Sequence, residues 1–177
     1  SRRQRQMCIR DRRHFNLFFD NAWNSLVEMD SYGHDVEAGW LLCEAARVLE
    51  DRQLMDRANR LALDVTDACL AEGLSDKGYM MYEKKGGRTT GHASWWGQIE
   101  TMIACVNAWQ ISGNDVYLQS ADTVWTFVKD CMIDREYGEW YSDCFDGEPK
   151  KDTPKVSMWR CPYHTVRLGV EIHNRLK

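Results

Sequence analysis

Residues 34–70 read HDVEAGWLLCEAARVLEDRQLMDRANRLALDVTDACL, and their apolar residues recur at the spacing of amphipathic helices. One helix is predicted from His34 to Leu49 and a second from Gln53 to Leu70, with a short polar turn between them. The predicted apolar stripe of the first comprises Val36, Trp40, Leu41, Ala45 and Val48 or Leu49. That of the second comprises Leu54, Ala58, Leu61, Ala62, Val65 and Cys69. Two such helices in succession predict an antiparallel helical hairpin.

The hairpin pattern returns 62 residues later, since a shift of that length places Cys43 on Cys105 and Ala46 on Ala108. The second pair of helices is predicted at 94–111 and 116–133, and a last helix runs from Pro162 to the C-terminus. Trp109 and Trp125 fall inside the second pair and are expected in the core. Self-similarity at a fixed period is typical of a solenoid or of a closed ring of helical hairpins.

Two short β-hairpins are predicted between the helical pairs. The first covers Tyr79 to Thr89, where two glycines supply the turn, and the second covers Glu139 to Lys151, where Asp146-Gly147 is a strong turn signal. The repeating unit is therefore a helix, a turn, a second helix and a glycine-bounded β-segment.

The composition limits the class of protein. The 177 residues are 44% hydrophobic and 28% charged, which is enough apolar material for a core and excludes a disordered chain. The net charge of −4 argues against a nucleic-acid partner, and the apolar runs are too short to span a membrane. Seven singly spaced cysteines and no secretory signal predict reduced thiols in a cytoplasmic protein. Eight tryptophans exceed what a plain core requires, so some are expected to face a ligand.

The N-terminal segment differs from the rest of the chain. Residues 1–13, SRRQRQMCIRDRR, contain six arginines and one aspartate. We interpret them as a non-native or disordered leader, with a basic arm for an acidic partner as the alternative. Residues 14–177 are then the folded part of the chain.

The candidate site lies at three helix starts, which read GHDVE at 33–37, SWWGQIE at 94–100 and WRCPYH at 159–164. If the units pack side by side, all three starts lie at the same end of the array. The side chains expected to converge there are His34, Glu37, Trp95, Trp96, Glu100, Trp159 and His164.

These residue types suit proton transfer on a sugar. Neutral imidazole can take and return a proton near neutral pH, and two imidazoles on opposite faces of one carbon can invert it. Tryptophan faces suit the apolar C–H faces of a sugar ring, and carboxylates suit its hydroxyls. Each residue also has a structural interpretation: His34 can cap its helix, His164 can be a satisfied core histidine, and one of Trp95 and Trp96 can serve packing alone.

Four motifs together resemble a known family. GHDVEAGWLL at 33–42, WWGQIE at 95–100, DREYGEW at 134–140 and WRCPYH at 159–164 are similar to the C-terminal half of cellobiose 2-epimerases, in the N-acylglucosamine 2-epimerase superfamily. The resemblance covers residues 15–177. It implies an all-α fold, the (α/α)6 barrel, of which this chain would be about the C-terminal half, with short β-hairpins between the helical pairs.

The resemblance also implies roles for individual residues. His34 and His164 match the family's acid/base pair, whereas Glu37, Trp95, Trp96, Glu100 and Trp159 match residues that bind and orient the sugar. The implied reaction is epimerisation at C2 of the reducing-end glucose of cellobiose, through a cis-enediol(ate) and without a metal or other cofactor. The implied substrates are cellobiose, lactose or mannobiose, and the implied parent enzyme is monomeric. The family also uses an arginine, an asparagine and a third histidine from its N-terminal half, outside this chain.

Three alternatives remain at this stage. Within the superfamily, the substrate class can instead be that of an N-acylglucosamine 2-epimerase or of a mannose aldose–ketose isomerase. In another enzyme class, His34, Glu37 and His164 can ligate a metal, because His-x-x-Glu spacing puts two ligands on one helix face. In a non-enzyme class, the chain is a helical-repeat scaffold that binds a peptide on its concave face.

Overall fold

The computed structural model describes residues 13–177, in which five α-helices alternate with short strands. The helices are α1 (Tyr32–Val48), α2 (Arg52–Gly73), α3 (Trp95–Ser112), α4 (Val116–Phe127) and α5 (Tyr163–Arg175), and one turn of π-helix (Val128–Met132) continues α4. All five predicted helices are confirmed, with ends that differ by a few residues. Local signals define several ends, because the Asp51 carboxylate accepts from the first backbone N–H groups of α2 and Gly113 ends α3 at φ 70°.

The buried face of α1 differs from the predicted stripe. Val36, Trp40, Cys43 and Ala46 are buried, whereas Leu41 is 40% exposed and Val48 lies almost entirely in solvent. The prediction was wrong for Leu41, Ala45, Val48 and Leu49, because α2 and α3 pack on the face that carries Gly39 and Cys43. The stripe of α2 is confirmed for Ala58, Ala62, Val65 and Cys69, whereas Leu54 is exposed.

Helix α3 lies at the centre of the packing. It contacts α1, α2, α4 and α5, while α1 with α2 and α3 with α4 form the two predicted hairpins. Residues 97–108 of α3 are buried without interruption, as expected of a helix that is covered all round. Trp125 on α4 is 37% exposed, so its predicted place in the core was wrong, since α4 has neighbours on only one side among the described residues.

Two small antiparallel sheets hold the helix starts. The first contains β1 (Met29–Ser31), β2 (Glu83–Lys85) and β3 (Arg88–Thr90), and the second contains β4 (Ala93–Ser94), β5 (Asp143–Phe145) and β6 (Glu148–Pro149). Both predicted hairpins are confirmed, with turns at the predicted glycines. Because β1 leads directly into α1 and β4 into α3, the sheets fix the positions of these two helix starts.

None of the helices within residues 13–177 is both long and apolar enough to cross a lipid bilayer. The six cysteines of this part of the chain are free thiols. Apart from Arg13, the predicted leader lies outside the described residues.

Candidate active site

The starts of α1, α3 and α5 meet around one indole ring. Trp96, in the first turn of α3, lies with its ring centroid 4.6 Å from that of His34 and 5.9 Å from that of His164. His34 is exposed to solvent, whereas His164 is almost fully buried. The structure therefore brings together two histidines that are 130 positions apart in the sequence.

Trp96 reaches this position because residue 33 has no side chain. A Cβ atom on Gly33 would lie 2.6 Å from Cη2 of Trp96, closer than any real contact allows. The indole edge therefore rests directly on the backbone of α1. On another side, Tyr82 meets Trp96 edge-on with a centroid separation of 6.4 Å.

Glu100 is the buried anion of the site. Its Oε1 atom lies 2.6 Å from Nδ1 of His164, and its Oε2 atom accepts a 2.9 Å hydrogen bond from Nε1 of Trp40. An ionised carboxylate can only accept, so the proton of neutral His164 lies on Nδ1 and the lone pair lies on Nε2. Glu100 thus sets both the orientation and the tautomer of His164.

Arg167 joins the two carboxylates of the site. Its Nη1 atom donates to Oε1 of Glu37 over 2.8 Å and to Oε1 of Glu100 over 3.1 Å. Burial lowers the pKa of the Arg167 guanidinium, but the hydrogen bond to Glu37 and the two nearby carboxylates outweigh this, so the net pKa is raised. The cation holds Glu37 and Glu100 side by side, and Glu37 is therefore held by Arg167 and not by His34.

The other two predicted tryptophans lie on the α5 side. Trp95 meets His164 edge-on at a centroid separation of 6.1 Å, and the buried Arg160 guanidinium lies 4.8 Å from the Trp95 ring. Arg160 is held in turn by the carbonyl of Trp140 and the hydroxyl of Ser142. Trp159 lies in the loop before α5 with 82% of its surface exposed, apart from the group around Trp96. Its role in sugar binding stays a prediction.

The chain is similar to known proteins in both sequence and structure. The sequence model of the N-acylglucosamine 2-epimerase (GlcNAc 2-epimerase) family matches residues 5–167. This chain belongs to that family. Among curated relatives, it is 40% identical over 168 residues to the cellobiose 2-epimerase of Bacteroides fragilis, covering 92% of this chain and 42% of the relative. It is 37% identical over 161 residues to that of Ruminococcus albus, covering 90% and 41%.

Solved structures give the same result. The crystal structure of a sugar epimerase from a ruminal bacterium matches 98% of this chain with a TM-score of 0.92 and 34% identity, over 45% of its own length. Cellobiose 2-epimerase from Bacillus thermoamylovorans matches 97% with a TM-score of 0.89 and 32% identity, over 44% of its own length. The chain therefore spans less than half the length of these family members.

Three contributors to the site of this family member were not recognised in the sequence. Trp40 was assigned to the core because it falls on the apolar stripe, yet its indole N–H bonds Glu100. Arg167 lies three residues after His164 on α5, a spacing that puts both on one face and that could have indicated it. Ser31 lies 2.8 Å from His34 through its hydroxyl, and nothing in the sequence pattern predicts that contact.

The predicted metal ligands can be compared with the side chains that lie together in the structure. Potential ligand atoms of Glu37, Glu100 and His164 lie within 4.8 Å of one another, so Glu100 replaces His34 in the predicted set. The guanidinium of Arg167 already bridges the two carboxylates. A metal ion bound by the two carboxylates would either displace the guanidinium or lie next to its positive charge. The group therefore fits an arginine–carboxylate cluster better than a metal site.

Proposed function

We propose that the complete natural protein containing this chain epimerises C2 of the reducing-end glucose of β-1,4-linked disaccharides, converting cellobiose to glucosyl-mannose. The observation that carries the proposal is the position of His34 and His164 against the single indole of Trp96. One ring nitrogen of each histidine is occupied by a protein partner, Ser31 or Glu100, which leaves Nε2 of each free for a substrate. Membership of the N-acylglucosamine 2-epimerase family supports a sugar as that substrate.

The proposed mechanism needs an open-chain sugar, because only the aldehyde makes the C2 hydrogen acidic enough to remove. One histidine takes the C2 proton on Nε2, and the electron pair of the broken C–H bond moves into a cis-enediol(ate). The other histidine, as imidazolium, gives its Nε2 proton to the opposite face of C2 and restores the aldehyde. Each acid/base step contributes roughly 10²–10⁴-fold.

The other groups of the site position the sugar in this proposal. Trp96 and Trp95 offer ring surface beside His164, and Glu37 lies at the partly open edge of the cluster, where one of its oxygens can meet a sugar hydroxyl. Arg167 and Glu100 hold the network rigid. Charge that develops on O1 is stabilised by the arginine that the family resemblance assigns to the N-terminal half, outside this chain.

The proposal includes the architecture of the whole protein. The α1–α2 and α3–α4 hairpins and α5 correspond to about five of the twelve helices of an (α/α)6 barrel. The similarity to solved epimerases that are about twice as long supports this assignment. A monomeric, cytoplasmic enzyme without a cofactor completes the proposal.

The test is turnover of cellobiose in heavy water by the complete natural protein. We expect glucosyl-mannose that carries deuterium at C2, detected by NMR and mass spectrometry. Product without deuterium at C2 would mean a hydride shift and would overturn the two-histidine mechanism. N-acetylglucosamine and mannose are assayed in parallel, and faster conversion of either one would reassign the substrate to an N-acylglucosamine 2-epimerase or a mannose isomerase.

A further inference from the structure

Ser31 occupies the N-cap position of α1 without capping the helix. A serine at this position ordinarily accepts a hydrogen bond from a backbone N–H of the first turn. Ser31 has the extended backbone of such a residue, at φ −105° and ψ 101°, but its side chain makes no capping bond. Its hydroxyl lies instead 2.8 Å from Nδ1 of His34, three residues later. The buried hydroxyl is thus committed to the imidazole.

The backbone around Ser31 is held firmly. Ser31 is the last residue of β1 and pairs with Glu83 of β2 in the first sheet, so the position of its Cα depends on strand pairing and not on α1 alone. Trp96 packs against His34, with ring centroids 4.6 Å apart. The imidazole therefore contacts a hydroxyl and an indole from two different elements, and its hydrogen bond among the described residues is made through Nδ1.

We propose that Ser31 is a positioning residue for the epimerisation, one that holds Nδ1 of His34 so that Nε2 alone exchanges the proton with C2. This inference rests on the proposed function. When His34 gives its proton, the Nε2–H bond breaks and the new C2–H bond forms from the electron pair of the enediolate. The Nδ1–H proton stays in place, donated to the Ser31 hydroxyl oxygen. The hydroxyl oxygen can accept this hydrogen bond in both charge states of the imidazole.

The two histidines therefore have partners of different kinds. His164 is oriented by the ionised Glu100, which is tied to Arg167, whereas His34 is oriented by a neutral hydroxyl. Removing the Ser31 hydroxyl should impair only the proton transfer that His34 performs. This asymmetry distinguishes a positioning role from a general effect on folding.

The first test compares Ser31→Ala and Ser31→Cys with the unmodified complete natural protein. Loss of an orienting partner typically lowers activity by about 10–100-fold, and we expect that fall in kcat with KM changed by less than a factor of about two. Cysteine keeps the volume of the buried site and so guards against misfolding. Ser94→Ala is the matched control, because Ser94 is the buried N-cap residue of α3 and its side chain also makes no capping bond.

The second test separates proton exchange from epimerisation. Starting in heavy water from the epimer whose C2–H faces His164, Ser31→Ala should still place deuterium in the recovered starting sugar, although epimerisation is slow. Starting from the other epimer, exchange and epimerisation should fall together. Equal losses from both epimers, or Ser31→Ala as active as Ser94→Ala, would overturn the role of Ser31. If the unmodified protein epimerises none of the sugars, the proposed function itself fails.

Discussion

His34 and His164 differ in how they are buried and held. His164 lies in the first turn of α5 against Glu100, and the ring centroid of the adjacent Tyr163 is 3.8 Å from its own, whereas His34 is open to solvent beside Trp96. Either environment alone fits a structural histidine. Their position around one indole, together with membership of the N-acylglucosamine 2-epimerase family, is what supports a shared chemical role.

Alanine at either histidine should nearly abolish epimerisation by the complete natural protein. A group that transfers the reacting proton contributes at least about 10²-fold, so kcat of His34→Ala and of His164→Ala should fall by that factor or more. His173→Ala on the same helix as His164 is the control and should keep its activity. Circular dichroism checks the fold, and a histidine variant that retains more than about a tenth of the activity has no acid/base role.

Glu100→Gln should damage both activity and stability. The amide keeps the size of the side chain but loses the charge that Arg167 and His164 face, and its NH₂ group cannot accept. A buried donor left without a partner costs about 1–3 kcal/mol of unfolding free energy. Asp146→Asn, in the turn of the second hairpin, removes the carboxylate of an ion pair with Lys77 in which both side chains are exposed, and it should change urea denaturation little. Equal midpoints for the two variants would contradict the central role of Glu100.

At the level of elements, α3 lies close to the start of α1 at Gly33. The contact at Gly33 leaves no room for a methyl group, since the backbone of Gly97 lies 3.3 Å from the same Cβ position. A side chain at residue 33 must therefore displace the Trp96 ring. The site therefore depends on a glycine whose function cannot be recognised from its own chemistry.

Gly33→Ala should displace Trp96 from His34. We expect loss of epimerase activity with a shift in tryptophan fluorescence, and a lower melting temperature despite the better helix propensity of alanine. Gly169→Ala on α5 is the matched control, because a Cβ at that position meets nothing within 4 Å. It should stabilise the chain by about 0.5–1 kcal/mol. A Gly33→Ala protein that behaves like Gly169→Ala would show that Trp96 needs no such contact.

Two other histidines connect elements outside the site, and their pKa values are shifted in opposite directions. His14 is fully buried, and its Nδ1 atom bonds Oδ2 of Asp35 over 2.7 Å, which ties the segment before β1 to α1. Burial lowers the pKa of His14, but the hydrogen bond and charge of Asp35 outweigh it, so the pKa is raised above 6.5. His92 stacks between Tyr82 and Phe145, and burial lowers its pKa despite the nearby Asp143.

The pH dependence of stability follows from these directions. The contribution of His14 is complete below pH 6.5 and is lost as the pH rises through its raised folded pKa. The contribution of His92 is present above pH 6.5 and is lost as the pH falls through its lowered folded pKa. The free energy of unfolding can be measured by urea denaturation between about pH 5 and 8. Its fall toward alkaline pH should be smaller in His14→Gln, and its fall toward acidic pH should be smaller in His92→Gln. The reverse assignment would contradict both contacts.

At the level of the molecule, the described part of the chain has an apolar groove between α4 and α5. Its volume is about 630 Å³, and its walls include Trp125, Leu168, Ile172 and Leu176, with α3 as the floor. Two of these side chains, Trp125 and Leu176, are exposed. Contiguous apolar surface of this kind favours association in water.

Expressed alone, the 177-residue chain should self-associate and should not convert cellobiose, because it spans less than half the length of the epimerases that it resembles. Light scattering coupled to size exclusion measures the first expectation. Leu176→Lys, in the groove, should shift the distribution toward monomer, whereas Val48→Lys, an exposed valine on α1 outside the groove, should not. A monodisperse chain with measurable epimerase activity would show that it is a complete minimal enzyme.

Local signals in the sequence located most of the elements. Apolar periodicity located α1 to α4, Pro162 indicated the start of α5, and Gly86-Gly87 and Asp146-Gly147 located the two hairpin turns. The strands β1 and β4 were not predicted, because each is two or three residues long and depends on pairing with a distant strand. The repeat brought the starts of α1, α3 and α5 to one end. The predicted features depend on backbone geometry and on residues a few positions apart, which is why a pattern can predict them. The aligned helix starts then placed His34, Trp96 and His164 in one group.

The contacts within that group depended on how the helices are rotated against one another. The rotation of α1 about its own axis decides whether Leu41 or Cys43 faces the core. Periodicity favoured Leu41, whereas Cys43 is the buried residue. Glu100 is 60 residues from Trp40 and 67 from Arg167, and each of these bonds requires ångström placement of two separate elements. The hydroxyl of Ser31 had two possible partners, the helix backbone and the His34 ring, and only the packing of β1 against α1 directed it to the ring.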